Sequence, residues 1–151
     1  MEKFKIYLES VLIPIIVGGI VGLIISDSID YDTLTKPFLS PPSLLFPIMW
    51  TVLYFLMGIS YGILKIRHLD DTKIKIIYYL QLFVNAFWSI FFFSLKWRLF
   101  SFIWILLLDF LVGWMIVLFY RKNKTASLLQ LPYLFWILFA SYLNLAIYLL
   151  N

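Results

Sequence analysis

Residues Leu99–Tyr120 read LFSFIWILLLDFLVGWMIVLFY, a continuous apolar run in which Asp109 is the only charged side chain. A helix that crosses the hydrocarbon core of a bilayer needs about 20 apolar residues. This run is therefore long enough to span a membrane, and it decides the class of fold.

Four further runs are free of charge, and each has about the length of a membrane span. They are Ser10–Ser26, Pro37–Leu64, Ile76–Leu95 and Thr125–Asn151. Backbone amides in lipid must bond within the protein, and these runs are continuously apolar rather than alternating, so we expect helices and not strands of a barrel. The sequence predicts an all-α membrane protein, a bundle of five transmembrane helices over residues 7–26, 44–65, 75–95, 99–120 and 127–150.

The composition excludes most other classes of protein. Hydrophobic residues make up 64% of the chain and charged residues 13%, whereas a soluble domain has about 45–50% and about 25%. Soluble enzymes, disordered chains and nucleic-acid-binding proteins are excluded, although the net charge is +4. The basic residues lie between the apolar runs, where they act as topology signals and contact lipid headgroups.

The chain has few residues that could bind a metal or a haem iron, or act as a reactive thiol. The chain has no cysteine, and its one histidine, His68, falls in a basic loop. We expect no metal site and no required cofactor, because thiolate and histidine ligands are missing from the apolar runs. A bound tetrapyrrole would be held by stacking and apolar contact.

The distribution of lysine and arginine predicts the orientation. Five spans place nine basic residues on the side of the N-terminus: Lys3, Lys5, Lys65, Arg67, Lys73, Lys75, Arg121, Lys122 and Lys124. Three basic residues, Lys36, Lys96 and Arg98, lie on the other side. Because basic loops stay in the cytoplasm, we expect an N-terminus inside and a C-terminus outside.

One connection differs from the others. Asp27–Ser43 reads DSIDYDTLTKPFLSPPS, which is acidic and rich in proline, whereas the other loops are short and basic. Long loops in compact proteins are often functional lids, and prolines stiffen this one into extended geometry. We interpret it as a lid over the bundle; a simple connector is the alternative.

Aromatic side chains recur at helical spacing in three runs. Each stripe mixes rings with polar or small residues: Trp50, Tyr54, Met57 and Tyr61; Asn85, Trp88 and Phe92; and Tyr133, Trp136, Ala140 and Asn144. Such stripes either pack helices together or line an apolar cavity with a few polar groups, and the pattern alone leaves both possibilities open.

Small and charged residues inside the spans also have two interpretations. Gly18 and Gly22, like Gly58 and Gly62, have the GxxxG spacing that lets helices approach closely, within one protomer or across a dimer. Asp109 is costly in lipid. A structural hydrogen bond to another helix is the favoured explanation, and a proton relay or a ligand contact is the alternative.

Several stretches together resemble the TspO/MBR family, the tryptophan-rich sensory proteins that include the mitochondrial translocator protein. They are YDTLTKPFLSPPSLLFPIMWTVLYFLMG from Tyr31, VNAFWSIFFF from Val84, Asp109, and PYLFWILFASYLNLAIYLLN from Pro132. The resemblance covers residues 1–151 as a single five-helix membrane domain. It implies an integral membrane protein, here of a bacterial cell membrane, that commonly forms homodimers.

The resemblance also implies a ligand pocket beneath the first loop. Carried over by motif, its lining would be Tyr31, Pro42, Trp50, Tyr54, Asn85, Trp88, Phe91, Trp136, Ala140 and Leu143. The implied partners are porphyrins or other flat apolar small molecules and membrane lipid, with porphyrin as a ligand rather than a cofactor. We therefore expect a membrane binding or sensory protein for porphyrins.

Two other functions remain open. A light-dependent porphyrin-degrading enzyme would use Trp50 and Trp136 as catalytic residues, and a transporter would pass porphyrin-like or sterol-like ligands. The sequence also departs from the family, because Asp30 and Leu39 stand where the family often has tryptophan. Two aromatic groups of the lid are thus missing.

Overall fold

The computed structural model describes residues 1–151 and consists of helices and their connections. The helices are α1 (Glu2–Ile25), α2 (Leu45–Ile66), α3 (Thr72–Ser89), α4 (Arg98–Tyr120), α5 (Lys124–Leu128) and α6 (Leu131–Leu150), and α3 continues into a π-helical turn, Ile90–Ser94. Five segments are long and apolar enough to span a membrane, the last being α5 with α6. The five-helix membrane fold is therefore confirmed.

The last span differs from the single helix expected over 127–150. It begins at Lys124 and is interrupted at residues 129–130. The side chain of Asn123 caps α5 by accepting a hydrogen bond from Ala126 N at 2.9 Å. Pro132 then lies in the first turn of α6. Because the first turn needs no backbone donor there, proline starts a new helix without losing a hydrogen bond.

The helices form a closed ring. α1 packs along α2 and touches α3, α3 packs on α4, α4 packs on α6, and α2 contacts α5 and α6. Met57, Ile105 and Met115 are fully buried at its centre. Large apolar side chains such as Phe110 and Phe135 stay 65% exposed on the outside. Lipid tails are as apolar as these side chains, so their exposure is not unfavourable in a membrane.

The glycine pair of α2 brings α1 and α2 together within one chain. A Cβ atom added at Gly58 would lie 2.6 Å from Ser10 O and 2.9 Å from Val11 N. One added at Gly62 would lie 2.8 Å from the ring of Tyr7. Only glycine permits this close approach, so for Gly58 and Gly62 the structure favours packing inside the protomer.

Candidate functional site

A cavity of about 450 Å³ lies between α1, α2, the end of α3 and α6. Small-molecule pockets measure about 300–1,000 Å³ and combine apolar walls with a few polar groups. The wall of this cavity has that character, because it includes hydroxyl and amide groups but no charged side chain. Its size and chemistry therefore suit a small, largely apolar ligand.

Six of the ten residues expected in the pocket line this cavity. They come from the loop, α2, α3 and α6: Tyr31, Trp50, Tyr54, Trp88, Ala140 and Leu143. Trp50 stacks on Tyr54 with a centroid separation of 5.6 Å and an interplanar angle of 29°. Ala140 of α6 also lines the cavity and contributes only a methyl group. The fold thus brings together residues that are up to 112 positions apart between Tyr31 and Leu143.

Two expected residues, Pro42 and Phe91, lie outside the wall. Pro42 is exposed, and its neighbour Ser43 lines the cavity instead. Phe91 stacks on Trp97 at 5.9 Å and meets Trp104 edge-on at 5.0 Å, between α3 and α4. The π-helical turn begins just before Phe91, and the rings that reach the cavity are those of Phe92 and Phe93. The helical spacing of Asn85, Trp88 and Phe92 therefore identifies the face of α3 toward the cavity better than the family motif does.

The other two, Asn85 and Trp136, lie directly behind the wall. Asn85 accepts a hydrogen bond from the hydroxyl of Tyr54, which is itself part of the wall. Trp136 packs edge-on against Phe46, a wall residue, with centroids 5.7 Å apart. The indole nitrogen of Trp136 is buried and has no hydrogen-bond partner. Both residues support wall side chains rather than face the cavity.

The sequence did not indicate the contribution of α1. Gly18, Gly19 and Gly22 line the cavity, together with Ile15 and Ile25 of the same helix. A Cβ atom at Gly18 would collide with the ring of Tyr54, whereas Gly19 and Gly22 have no atom within 4 Å of that position. The GxxxG spacing of α1 therefore marks a cavity wall. The sequence signal was present, but it is the same signal that predicts close packing.

A chain of hydrogen bonds fixes the polar side of the wall. The hydroxyl of Tyr54 donates to Asn85 Oδ1 at 2.6 Å, and Asn85 Nδ2 donates to the hydroxyl of Tyr133 at 2.8 Å. Tyr133 donates in turn to Gln81 Oε1 at 2.8 Å. Each hydroxyl donates its single proton to an amide oxygen, that of Asn85 or that of Gln81. A satisfied buried network of this kind holds the Tyr54 ring in one orientation.

A second polar group joins three helices at the end of the cavity. Trp88 Nε1 donates to Asn144 Oδ1 at 2.9 Å, and the hydroxyl of Ser101 lies 3.1 Å from the same oxygen and 3.0 Å from the carbonyl of Arg98. Asn144 Nδ2 donates to the carbonyl of Arg98 at 2.8 Å. These bonds tie α3, α4 and α6 together. They also use the polar atoms of Trp88 and Asn144, so the cavity meets mainly the apolar faces of these side chains.

Residues 27–43 cover one end of the bundle. We call this segment the lid, and the end of the bundle that it covers the lid end. Tyr31 is only 3% exposed, and its hydroxyl donates to the carbonyl of Pro41 at 2.7 Å. Burial raises the pKa of Tyr31 above its ordinary value, against a smaller opposing effect of Ser40 and with a small added rise from Asp32. The hydroxyl therefore remains a neutral donor. Its ring meets Phe46 edge-on at 4.9 Å and closes the top of the cavity.

The lid is anchored to the bundle at three points. Both carboxylate oxygens of Asp30 lie 2.9 Å from Arg98 Nη2, at the start of α4. The hydroxyl of Tyr142 donates to a lid carbonyl, that of Phe38, at 2.7 Å. The third anchor is the side-chain amide of Asn151, which exchanges two hydrogen bonds with the backbone of residue 35. An ion pair thus fastens the lid at Asp30, where the family often has tryptophan.

Asp109 lies away from the cavity. Its Oδ2 is 2.7 Å from the hydroxyl of Ser141, which joins α4 to α6. The same hydroxyl is 2.8 Å from the carbonyl of Ile137 and has only one proton to donate. Asp109 borders a shallow outer groove along α4 that ends at Arg121. Asp109 therefore takes part in a contact that joins two helices, and it does not contact the cavity.

Comparisons with known proteins agree with this architecture. The TspO/MBR family model matches residues 10–150. The chain is 48% identical to the "Tryptophan-rich protein TspO" of Archaeoglobus fulgidus over 122 residues, which is 80% of this chain and 79% of the relative. It is 32% identical to "Protein CrtK" of Rhodobacter capsulatus, over 89% of this chain and 86% of the relative.

A eukaryotic relative covers even more of the sequence. The chain is 33% identical to the "Translocator protein homolog" of Schizosaccharomyces pombe, over 93% of this chain and 88% of the relative. The family model reaches into all five spans and covers the lid. The resemblance seen in the sequence is thus confirmed, and the chain is an integral membrane protein that belongs to the TspO/MBR family.

Proposed function

We propose that the protein binds a flat, largely apolar small molecule, most favourably a porphyrin, in the cavity beneath the lid. The observation that carries this proposal is the cavity of about 450 Å³, with aromatic walls and no charged lining residue. Relatives named "Tryptophan-rich sensory protein" and "Translocator protein homolog" support a sensory or translocating role.

Porphyrin suits the wall for physical reasons. A planar macrocycle stacks on aromatic faces, and such contacts are worth about 0.5–1.5 kcal/mol each beyond the area that they bury. The paired rings of Trp50 and Tyr54 supply one such face. The polar atoms of Tyr54, Trp88 and Asn144 already have partners within the protein, so affinity comes mainly from stacking and burial. The porphyrin is a ligand here, and no cofactor is required.

The test is a porphyrin titration of the protein in lipid nanodiscs, read by quenching of its six tryptophans. Ala140→Phe should fill the cavity and abolish quenching, because a ring replaces the methyl group in the wall. Leu138→Phe is the matched control, since Leu138 lies on the same helix and is 47% exposed to lipid. If Ala140→Phe binds porphyrin as the wild type does, the cavity is not the binding site.

Light-dependent degradation of porphyrin is the second candidate function. Trp50 lines the cavity and stacks on Tyr54, and Trp136 lies directly behind the wall with an unpartnered indole nitrogen. Both indoles are more easily oxidised than phenylalanine. On this proposal Trp50→Phe and Trp136→Phe keep most of the binding but lose the light-driven loss of porphyrin. Equal loss in both variants and the wild type would eliminate a role for these tryptophans.

We propose further that the lid end faces the outside. The lid and the start of α4 have three basic residues, whereas the opposite end has nine. A reporter fused at Asn151, which lies at the lid end, should be active only outside the cytoplasm. Activity only inside would reverse the orientation.

A further inference from the structure

The cavity is more accessible on one side of its rim than on the other. On the side of the lid, Tyr31 is 3% exposed and closes the top. Between α1 and α2 the rim is lined by Gly19 and Gly22 on one side and by Pro47 and Thr51 on the other. All four of these residues are exposed. Tyr31 therefore covers the cavity at the lid, and the exposed residues between α1 and α2 leave it open toward the side of the bundle.

The side opening lies at membrane depth and is apolar. Gly19 and Gly22 fall inside the uncharged run of α1, where neighbouring Ile20 and Leu23 are 53% and 79% exposed. No protein atom lies within 4 Å of a Cβ position at either glycine. The hydroxyl of Thr51, on the facing rim, donates to a carbonyl of its own helix at 2.7 Å. A molecule dissolved in lipid therefore meets no unsatisfied polar group at this rim.

We infer that the ligand enters and leaves sideways from the bilayer, through the gap between α1 and α2, while the lid stays closed. This inference rests on the proposed function, because it concerns the same cavity. It restricts the ligand to molecules that partition into the half of the membrane next to the lid. The uncharged wall agrees with this restriction, since a molecule drawn from lipid arrives without hydrating water.

The lid can be locked to test this route. Asn151 Nδ2 donates to Thr35 O at 2.9 Å, and Thr35 N donates to Asn151 Oδ1 at 3.1 Å. The chain has no cysteine, so the double variant Thr35→Cys and Asn151→Cys provides the only possible disulfide. The oxidised form has a stapled lid, and the reduced form of the same protein is its control. Disulfide formation is verified by counting free thiols.

The gap can be filled independently. Gly22→Leu places a side chain in open space at the rim, and Gly113→Leu does the same on α4, away from the cavity, as the matched control. Stopped-flow quenching by protoporphyrin in nanodiscs gives the association and dissociation rates. Gly22→Leu should slow both rates by about tenfold, because a side chain in the gap obstructs passage in both directions.

The expected result is that the stapled lid leaves both rates unchanged, that Gly22→Leu slows both, and that Gly113→Leu slows neither. Binding that stops on oxidation and returns on reduction would show passage through the lid and overturn the inference. Unchanged rates in Gly22→Leu would overturn it as well. If Gly22→Leu also weakens equilibrium binding, the stapled lid still decides the route. Failure of wild-type protein to bind protoporphyrin at equilibrium would instead refute the proposed function.

Discussion

The two ends of the α1–α2 pair use glycine in opposite ways. Away from the lid, Gly58 and Gly62 bring α2 against the backbone of α1 and a tyrosine ring. At the lid end, Gly19 and Gly22 of α1 face open space and line the cavity. At the end away from the lid, the missing side chains let the two helices touch. At the lid end, the missing side chains leave a gap between the helices.

The difference arises from what stands opposite each glycine. Gly58 faces the backbone of residues 10–11, so the missing side chain allows the helices to touch. Gly18 faces the ring of Tyr54, which the hydrogen bond to Asn85 holds in place. Rings of this size keep the helix axes apart, and the glycines next to them then border a void. A GxxxG spacing therefore indicates little about packing until the facing residues are known.

Adding a side chain at Gly58, in the closely packed end of the α1–α2 pair, should have the largest effect on stability. Gly58→Val should lower the free energy of unfolding by about 3 kcal/mol, because its Cβ meets the backbone of α1 with no room to relax. Gly19→Ala, at the open end, should raise it by about 0.5–1 kcal/mol, since alanine is the better helix former and nothing lies near the added atom. Unfolding of both variants in detergent measures the contrast. Equal destabilisation would contradict the distinction between the two ends.

Removing the hydrogen bond that holds the Tyr54 ring at the lid end should have the second-largest effect on stability. Tyr54→Phe keeps the ring but leaves Asn85 Oδ1, which is buried, without its donor. The expected loss is about 2 kcal/mol in the free energy of unfolding, together with weaker porphyrin binding. Tyr142→Phe is a suitable control, because its hydroxyl bonds only a lid carbonyl near the surface. A Tyr54→Phe variant as stable as this control would show that the network does not hold the wall.

A smaller effect is expected at Asp109, outside both glycine regions. Asp109→Leu removes the interhelical acceptor of Ser141 and should cost about 1 kcal/mol, as is typical of hydrogen bonds between membrane helices. Asp109→Asn should cost less, because an amide can either accept from or donate to the hydroxyl. Neither change should alter porphyrin binding. A loss of binding in Asp109→Asn would indicate a ligand or relay role for this residue.

The smallest effect on stability is expected at the lid anchor. Asp30→Asn removes the charge that pairs with Arg98, and this partly exposed pair should contribute only about 0.5 kcal/mol. Faster hydrogen exchange of lid amides should accompany the loss. Asp32→Asn is the control, since its carboxylate has only a 3.4 Å contact with Ser43. If the two variants exchange alike, the ion pair does not anchor the lid.

Much of the fold could be predicted from the sequence because a bilayer leaves few choices. Each apolar run must be about as long as the hydrocarbon core is thick, so counting runs gives the number of spans. The stripes of Trp50 with Tyr54, and of Trp88 with Phe92, also placed these rings correctly on one face of their helices. The spacing within a helix fixes which side chains share a face, whatever the rest of the chain does.

The sequence by itself determined the membrane class, the five spans, the lid segment and most of the aromatic wall, since these depend on local length, composition and period. Only the tertiary structure decided that the glycines of α1 border a void, that Phe93 joins Phe92 in the wall at the π-helical turn, and that Asp30 pairs with a residue 68 positions away. Each of these depends on which groups meet across helices, and contacts between distant residues leave no periodic signal in either partner.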